Sequence, residues 1–253
     1  MKLIMENWRN FLYEQNNQSS PSLGRAAAII WNDPDYKPVD EFKQKSKILK
    51  AILPENISQG HAGIILLQEN PNFIVRAYCF SFGIDKDKIK PKDPLEIIRK
   101  KVGLFVQGKV TKRQRGAKIQ VGNQSLFDMI ENNDNNAVRT IIDMLKRHES
   151  AWGLDGIKQF GLVPKIDIKA AIDYAQDQSN SLYNIIPKLV IGGSEGDNCG
   201  SYALKVAAAG LQGPESGEKT KEAASISYQF IGPTDMLPIL QKLGWVTVAM
   251  SFK

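Results

Sequence analysis

Apolar positions along this chain fall into short runs whose period changes from two to about three and a half. GHAGIILL (60–67) and FIVRAYCFSFG (73–83) are rich in β-branched and aromatic residues and stand either side of an Asn-Pro-Asn turn. That pattern predicts a β-hairpin. RAAAIIW (25–31) predicts a strand ahead of it, and VGLFVQGKVTKRQ (102–114) with AKIQVG (117–122) predicts a second strand pair, joined by a basic turn around Gly116. SISYQFIG (225–232) and WVTVAMSF (245–252) predict further strands.

Helical spacing takes over elsewhere. It predicts helices over 40–53, over 125–148 with a break at ENNDNN, and over 167–178. In EGDNCGSYALKVAAAG (195–210) an acidic-polar turn precedes an apolar face and a glycine stop, with Asp197 or Asn198 as the cap. YNIIPKLVIGG leads into that turn, and QGPESGEKTKEA (212–223) predicts a long exposed loop after the helix. PTDMLPILQKLG (233–244) predicts a helix entered at Thr234-Asp235, with Pro238 required in its first turn and a glycine exit. Residues 1–14 predict an amphipathic helix carrying Leu3, Ile4, Trp8, Phe11 and Leu12 near one face, and 14–24 a polar linker. No repeat is visible. The order predicts an α+β domain over 25–253, preceded by the 1–24 segment.

Composition changes this picture little. The chain has 253 residues, 42% hydrophobic and 24% charged, enough for one large core. No run approaches the ~18 apolar residues of a membrane span. The start lacks a secretory signal, which predicts a cytoplasmic or virion-packaged protein rather than one secreted by a signal peptide. Two cysteines make no disulfide framework, and no Cys/His spacing predicts a metal site; no cofactor is expected. The glycine-rich IGGSEGDNCG lacks the Lys-Ser/Thr of a phosphate-binding loop.

Charge matters more. The formal net charge is +6, yet Lys86 to Lys118 alone carries +9 and the remainder about −3. IRKK and TKRQRGAK supply Arg99, Lys100, Lys101, Lys112, Arg113 and Arg115 as candidate contacts for nucleic acid or another polyanion. The segment has a single aromatic residue, Phe105, which disfavours a base-stacking surface. A solvated basic face is the simpler account.

The candidate chemistry sits at Cys199. A thiol at a helix start feels the positive end of the helix dipole, which favours thiolate by about 0.3–1 kcal/mol. Lowering a thiol pKa by two units takes about 2.7 kcal/mol, so a reactive Cys199 needs a cationic partner. His148 closes a helix, where a cation near carbonyls is explanation enough. His61 opens an apolar strand between Gly60 and Ala62, and is the candidate base. The alternative for Cys199 is a small buried apolar residue, the role also expected of Cys79.

GHAGIIL, the YCFSFG strand and NCGSYALKVAAAG, in that order, resemble the circularly permuted papain-like cysteine hydrolases, the group of the NlpC-like amidases and lecithin–retinol acyltransferase-like proteins. The likeness covers roughly 58–210. It implies a small antiparallel sheet packed against helices, with the cysteine helix among them. It further implies Cys199 as nucleophile, His61 as general base, and oxyanion support from the Cys199 amide beside the Asn198 cap. An orienting residue is expected on the neighbouring strand, where Tyr78 and Ser81 lie on opposite faces and neither is the usual carboxylate or histidine. The function so implied is cleavage of an amide bond in a peptide or peptidoglycan through a thioacyl intermediate, with thioester or lipid acyl chemistry open. The alternative is a non-enzymatic virion or structural protein of papain-like fold, binding nucleic acid or a partner through the basic segment. MKLIMENWRNFLYE also resembles the capsid-targeting peptides of large tailed phages, cleaved after an aliphatic-x-Glu triplet; Ile4-Met5-Glu6 and Leu12-Tyr13-Glu14 fit that form. The oligomeric state has no signature in the sequence.

Overall fold

The computed structural model describes residues 25–33, 61–70, 74–84, 106–118, 120–121, 124–132, 134, 137, 140, 159–178, 181–184, 196–211, 216–229, 233–246 and 248–251. The expected helices over 1–14 and 40–53, the linker, His148, Arg99, Lys100 and Lys101 lie outside these residues.

Strands β1 (Ala26–Asp33), β2 (His61–Glu69), β3 (Ile74–Ile84) and β4 (Val106–Lys118) form an antiparallel meander. Two more, β7 (Gln159–Pro164) and β9 (Val248–Ser251), extend it beyond β1, and the two-residue β8 (Leu182–Tyr183) touches the far end of β4. The sheet order is β8-β4-β3-β2-β1-β7-β9. A separate minimal hairpin pairs β5 (Gln120–Val121) with β6 (Gln124–Ser125). The architecture is mixed α+β, as the element order predicts, and among the described residues the main antiparallel sheet has seven strands.

β1 and β2 read as continuous apolar runs because both of their faces are covered. On one face Ala28, Ile30, Ala62, Ile64, Leu66, Phe80, Phe82 and Val163 meet the helices. These are α2 (Ile168–Asp177), α3 (Cys199–Gly210), α4 (Ser216–Gln229) and α5 (Pro233–Lys242). On the other face Ala27, Ile29, Trp31, Ile65, Leu67, Val75, Ala77, Phe160 and Leu162 meet the short α1 (Leu126–Glu131), which Ser125 caps with Asp128 completing a capping box. Arg25 reaches over to Asp128 and ties the start of β1 to α1.

α3 is the central helix. Ten of its twelve residues are buried, the pattern of a helix enclosed on all sides. It packs on β2 and β3 and between α2 and α4. Gly210 lets α2 approach: an added Cβ would lie 2.9 Å from the Ala171 Cβ and 3.3 Å from the Asp167 carbonyl oxygen.

Four sequence expectations are corrected. β4 runs straight through Gly116, in unbroken register with β3 from Ile74↔Lys118 to Ile84↔Gly108, so no turn forms there. The loop over 212–223 and the strand over 225–232 are largely replaced by one helix, α4, because Ala223 and Ile226 bury their side chains against the helical core. Pro238 stands inside α5 rather than in its first turn. β7 carries no strand signal strong enough to predict, and exists because β1 and β9 pair with its two edges.

Candidate functional site

Asn198 holds a β-region backbone and accepts a hydrogen bond from the Ser201 amide at 2.8 Å; the Ser201 hydroxyl accepts from the Asn198 amide at 2.9 Å. This reciprocal cap places Cys199 at the first helical position. The turn before it is fixed by backbone bonds to β8: Asn184 N–H donates to the Asp197 carbonyl, and Asp197 N–H to the Leu182 carbonyl. The Asp197 carboxylate accepts from the Ser201 hydroxyl and from Lys205 Nζ, both at 2.7 Å. Asp197 is buried and Lys205 half-buried, so the ion pair lies largely out of water. The nearby Asp197 and Asp177 carboxylates add to burial in pushing the Tyr174 phenol up to about 12. Tyr202 donates to the Ala175 carbonyl at 3.0 Å and stacks on Phe82, which fastens α3 to α2 and β3.

The Cys199 sulfur meets the start of β2, against the backbone amide of Ala62 and among the amides of Gly200 and Cys199 itself. Two segments far apart in sequence therefore converge, and one of them carries His61. Those amides favour thiolate, but burial outweighs them: the residue is 4% exposed and its pKa is pushed up to about 11. The helix-start effect expected from the sequence is present and loses to desolvation.

His61 faces the other way. Side chains alternate along a strand, so His61 shares the side of Gly63, Ile65 and Leu67, whereas Ala62 shares that of Ile64, Leu66 and Cys199. The imidazole stands against Trp31, with centroids 5.5 Å apart at 75°. Burial in this setting lowers its pKa to about 4, so the ring is neutral near pH 7. The hydrogen bonds acting on the Cys199 thiol come from backbone amides, and the imidazole is not among them. The two residues expected as nucleophile and base thus approach each other at the start of β2, the sulfur against the Ala62 amide and the imidazole on the Trp31 side by the strand period.

The strand period separates the two candidate orienting residues. Tyr78 pairs in register with Leu66, four residues past Ala62, or roughly 13 Å along the strand. Ser81 pairs with Thr111 and shares the His61 face by alternation. Cys79 belongs to the core on that face, as expected, although half-buried.

The basic candidates hold a different place. Lys112 is exposed on β4, its ammonium 6.0 Å from the Tyr78 ring centroid and 5.9 Å from that of Phe80. Arg113 and Arg115 take register positions opposite Cys79 and Ala77. The trio of buried Asp197 and Ser201 with half-buried Lys205 has no counterpart among the sequence expectations. Its signal was there, since positions four and eight after an acidic turn residue line one side of the ensuing helix.

Among the described residues no helix is long and apolar enough to cross a membrane. No family model, curated protein or solved structure matches the chain.

Proposed function

We propose that this chain is a non-catalytic docking protein, of permuted papain-like type, that binds a polyanion through β4. The observation that carries this is β4 itself: a thirteen-residue strand, VQGKVTKRQRGAK, with five basic residues and no acidic one. Lys109 and Lys112 are exposed on it. The papain-like part is supported by the order of the His61 strand before the Cys199 helix, and by that helix lying across the sheet. The likeness of residues 1–14 to capsid-targeting peptides supports a virion-packaged setting.

Retention on a polyanionic matrix tests the docking. Neutralising four or five anionic groups makes affinity fall roughly a hundredfold or more between about 50 and 200 mM salt. Arg113→Ala with Arg115→Ala is expected to shallow that slope. Retention indifferent to salt, or none at low salt, overturns the reading.

A second reading, the cysteine hydrolase acting on a peptide or peptidoglycan amide, is favoured by one observation: the Cys199 sulfur abuts the amide of the residue after His61. It requires the imidazole to reach the sulfur's side of β2. Alkylation separates the two. Iodoacetamide labelling of Cys199 near pH 6 that disappears in His61→Ala restores the hydrolase, whereas labelling that gathers pace only toward about pH 11 belongs to a structural thiol.

A further inference from the structure

The Gly108 N–H donates to the Ser181 carbonyl at 3.0 Å, on the side of β4 away from β3. In an antiparallel ladder the N–H and C=O of one residue point to the same neighbour, and those of the next residue to the other. The register with β3 is unbroken, so Val110, Lys112 and Gln114 also turn both groups outward. β8 pairs only with Val106 and Gln107. Beyond them no strand among the described residues pairs with this edge.

We propose that the outer edge of β4 takes an extended acidic segment of a partner polypeptide as an added strand. The inference rests on the polyanion-docking reading above and specifies its ligand. Strand addition draws affinity from the backbone ladder and selectivity from the side chains beside it. Of the basic residues of β4, Lys109 and Lys112 are exposed, and with Arg113, Arg115 and Lys118 in its sequence the strand carries a net positive charge that selects a chain of Glu or Asp. A second copy of β4 is disfavoured, because like charges would stand opposite one another. A nucleic acid backbone fits less well. Phosphate oxygens accept hydrogen bonds but donate none, so they leave the outward carbonyls of Val110, Lys112 and Gln114 unmatched, and an added strand serves donors and acceptors alike. The rings beside Lys112 offer bases no open platform either: Phe80 is buried, Tyr78 half-buried, and the Lys112 ammonium stands near both.

The test uses the whole chain and four probes: an acidic peptide of about ten residues, enough to span 108–118, its Gln-for-Glu analogue, and single- and double-stranded DNA oligonucleotides. Gln114→Pro removes an outward N–H while leaving the charge and the bonds to β3 in place, a substitution that edge strands accept. The expected result is tight binding of the acidic peptide alone, weakened at least about tenfold by Gln114→Pro. In the unmodified protein, the acidic peptide is expected to slow amide hydrogen exchange at Val110, Lys112 and Gln114, a readout that stands even if the proline variant folds poorly. Salt-sensitive binding of DNA or peptide that ignores Gln114→Pro and leaves those amides unprotected overturns strand addition and keeps the docking reading. No binding to any polyanion at low salt overturns both, and assigns the charges to protecting an edge from aggregation.

Discussion

The Trp31 indole and the His61 imidazole stand edge to face, 5.5 Å between centroids, on the side of β2 away from Cys199. Burial at the start of β2 is what holds the histidine neutral. It also makes the histidine a reporter of acid stability. The folded-state pKa is about 4, below the ordinary 6.5, so between those values the unfolded chain binds the extra proton. Stability from this group is whole above about pH 6.5 and is lost as pH falls toward 4. The loss is up to about 3 kcal/mol, less whatever water screens at a half-buried ring. Urea unfolding at pH 7 and near pH 4.5 should show this drop, and His61→Gln should remove most of it. An unchanged pH slope in the variant would assign the acid sensitivity to other groups.

Gly63 lies under the same indole. A Cβ added there would be 2.6 Å from Cζ2 and 2.7 Å from Cε2 of Trp31, and 3.0 Å from the Phe80 carbonyl oxygen. Neither a rigid ring nor backbone gives way easily, so Gly63→Ala should destabilise by about 1–3 kcal/mol. Trp31→Phe should cost less in the Gly63→Ala background than in the unmodified chain, because the smaller ring relieves the clash. Purely additive losses in thermal or urea melts would place the strain elsewhere.

What the sequence revealed depended on how local the cause was. The β2–β3 hairpin, the Asn198 cap and the Gly210 stop were legible because each follows from a few adjacent residues. α4 was not, since Gly213-Pro214 and Gly217 look like loop chemistry while the burial of Ala223 and Ile226 depends on α3 being there. Gly116 was mistaken for a turn because a glycine among charges usually marks one; only the partner strand shows that the register continues. His61 is the most instructive case. Its place at the strand start was readable, and so was the period of two that sets it with Gly63, but nothing local says which face of β2 the Cys199 helix will cover.

Two thiols in different settings should separate cleanly in solution. Cys79 is half-buried, whereas Cys199 is sealed, with its pKa pushed up to about 11. At about pH 8, a disulfide reagent should modify one thiol per native chain quickly, and Cys79→Ser should abolish that phase. Reaction of Cys199 then reports opening of the first turn of α3. Asn198→Ala, which removes a cap worth about 1 kcal/mol, should speed that slow phase about fivefold. A slow phase untouched by the cap variant would mean that Cys199 is reached only through global unfolding.

The Asp197–Lys205 pair secures the same turn from its other side. The carboxylate is 9% exposed and the ammonium 21%, and the Ser201 hydroxyl donates to the same carboxylate oxygen. Lys205→Met strands a nearly buried carboxylate, and should cost about 2–3 kcal/mol, toward the low end for a broken buried pair because water still reaches the lysine. Asp197→Asn leaves the lysine without its counter-charge and should cost less, since Lys205 can turn its ammonium outward. In the double variant the stranded charge is gone, so the two losses should sum to more than the measured one, with a coupling of about 1–2 kcal/mol. A double-mutant cycle by urea unfolding measures this directly. Strict additivity would show that the pair is held by the turn and does not hold it.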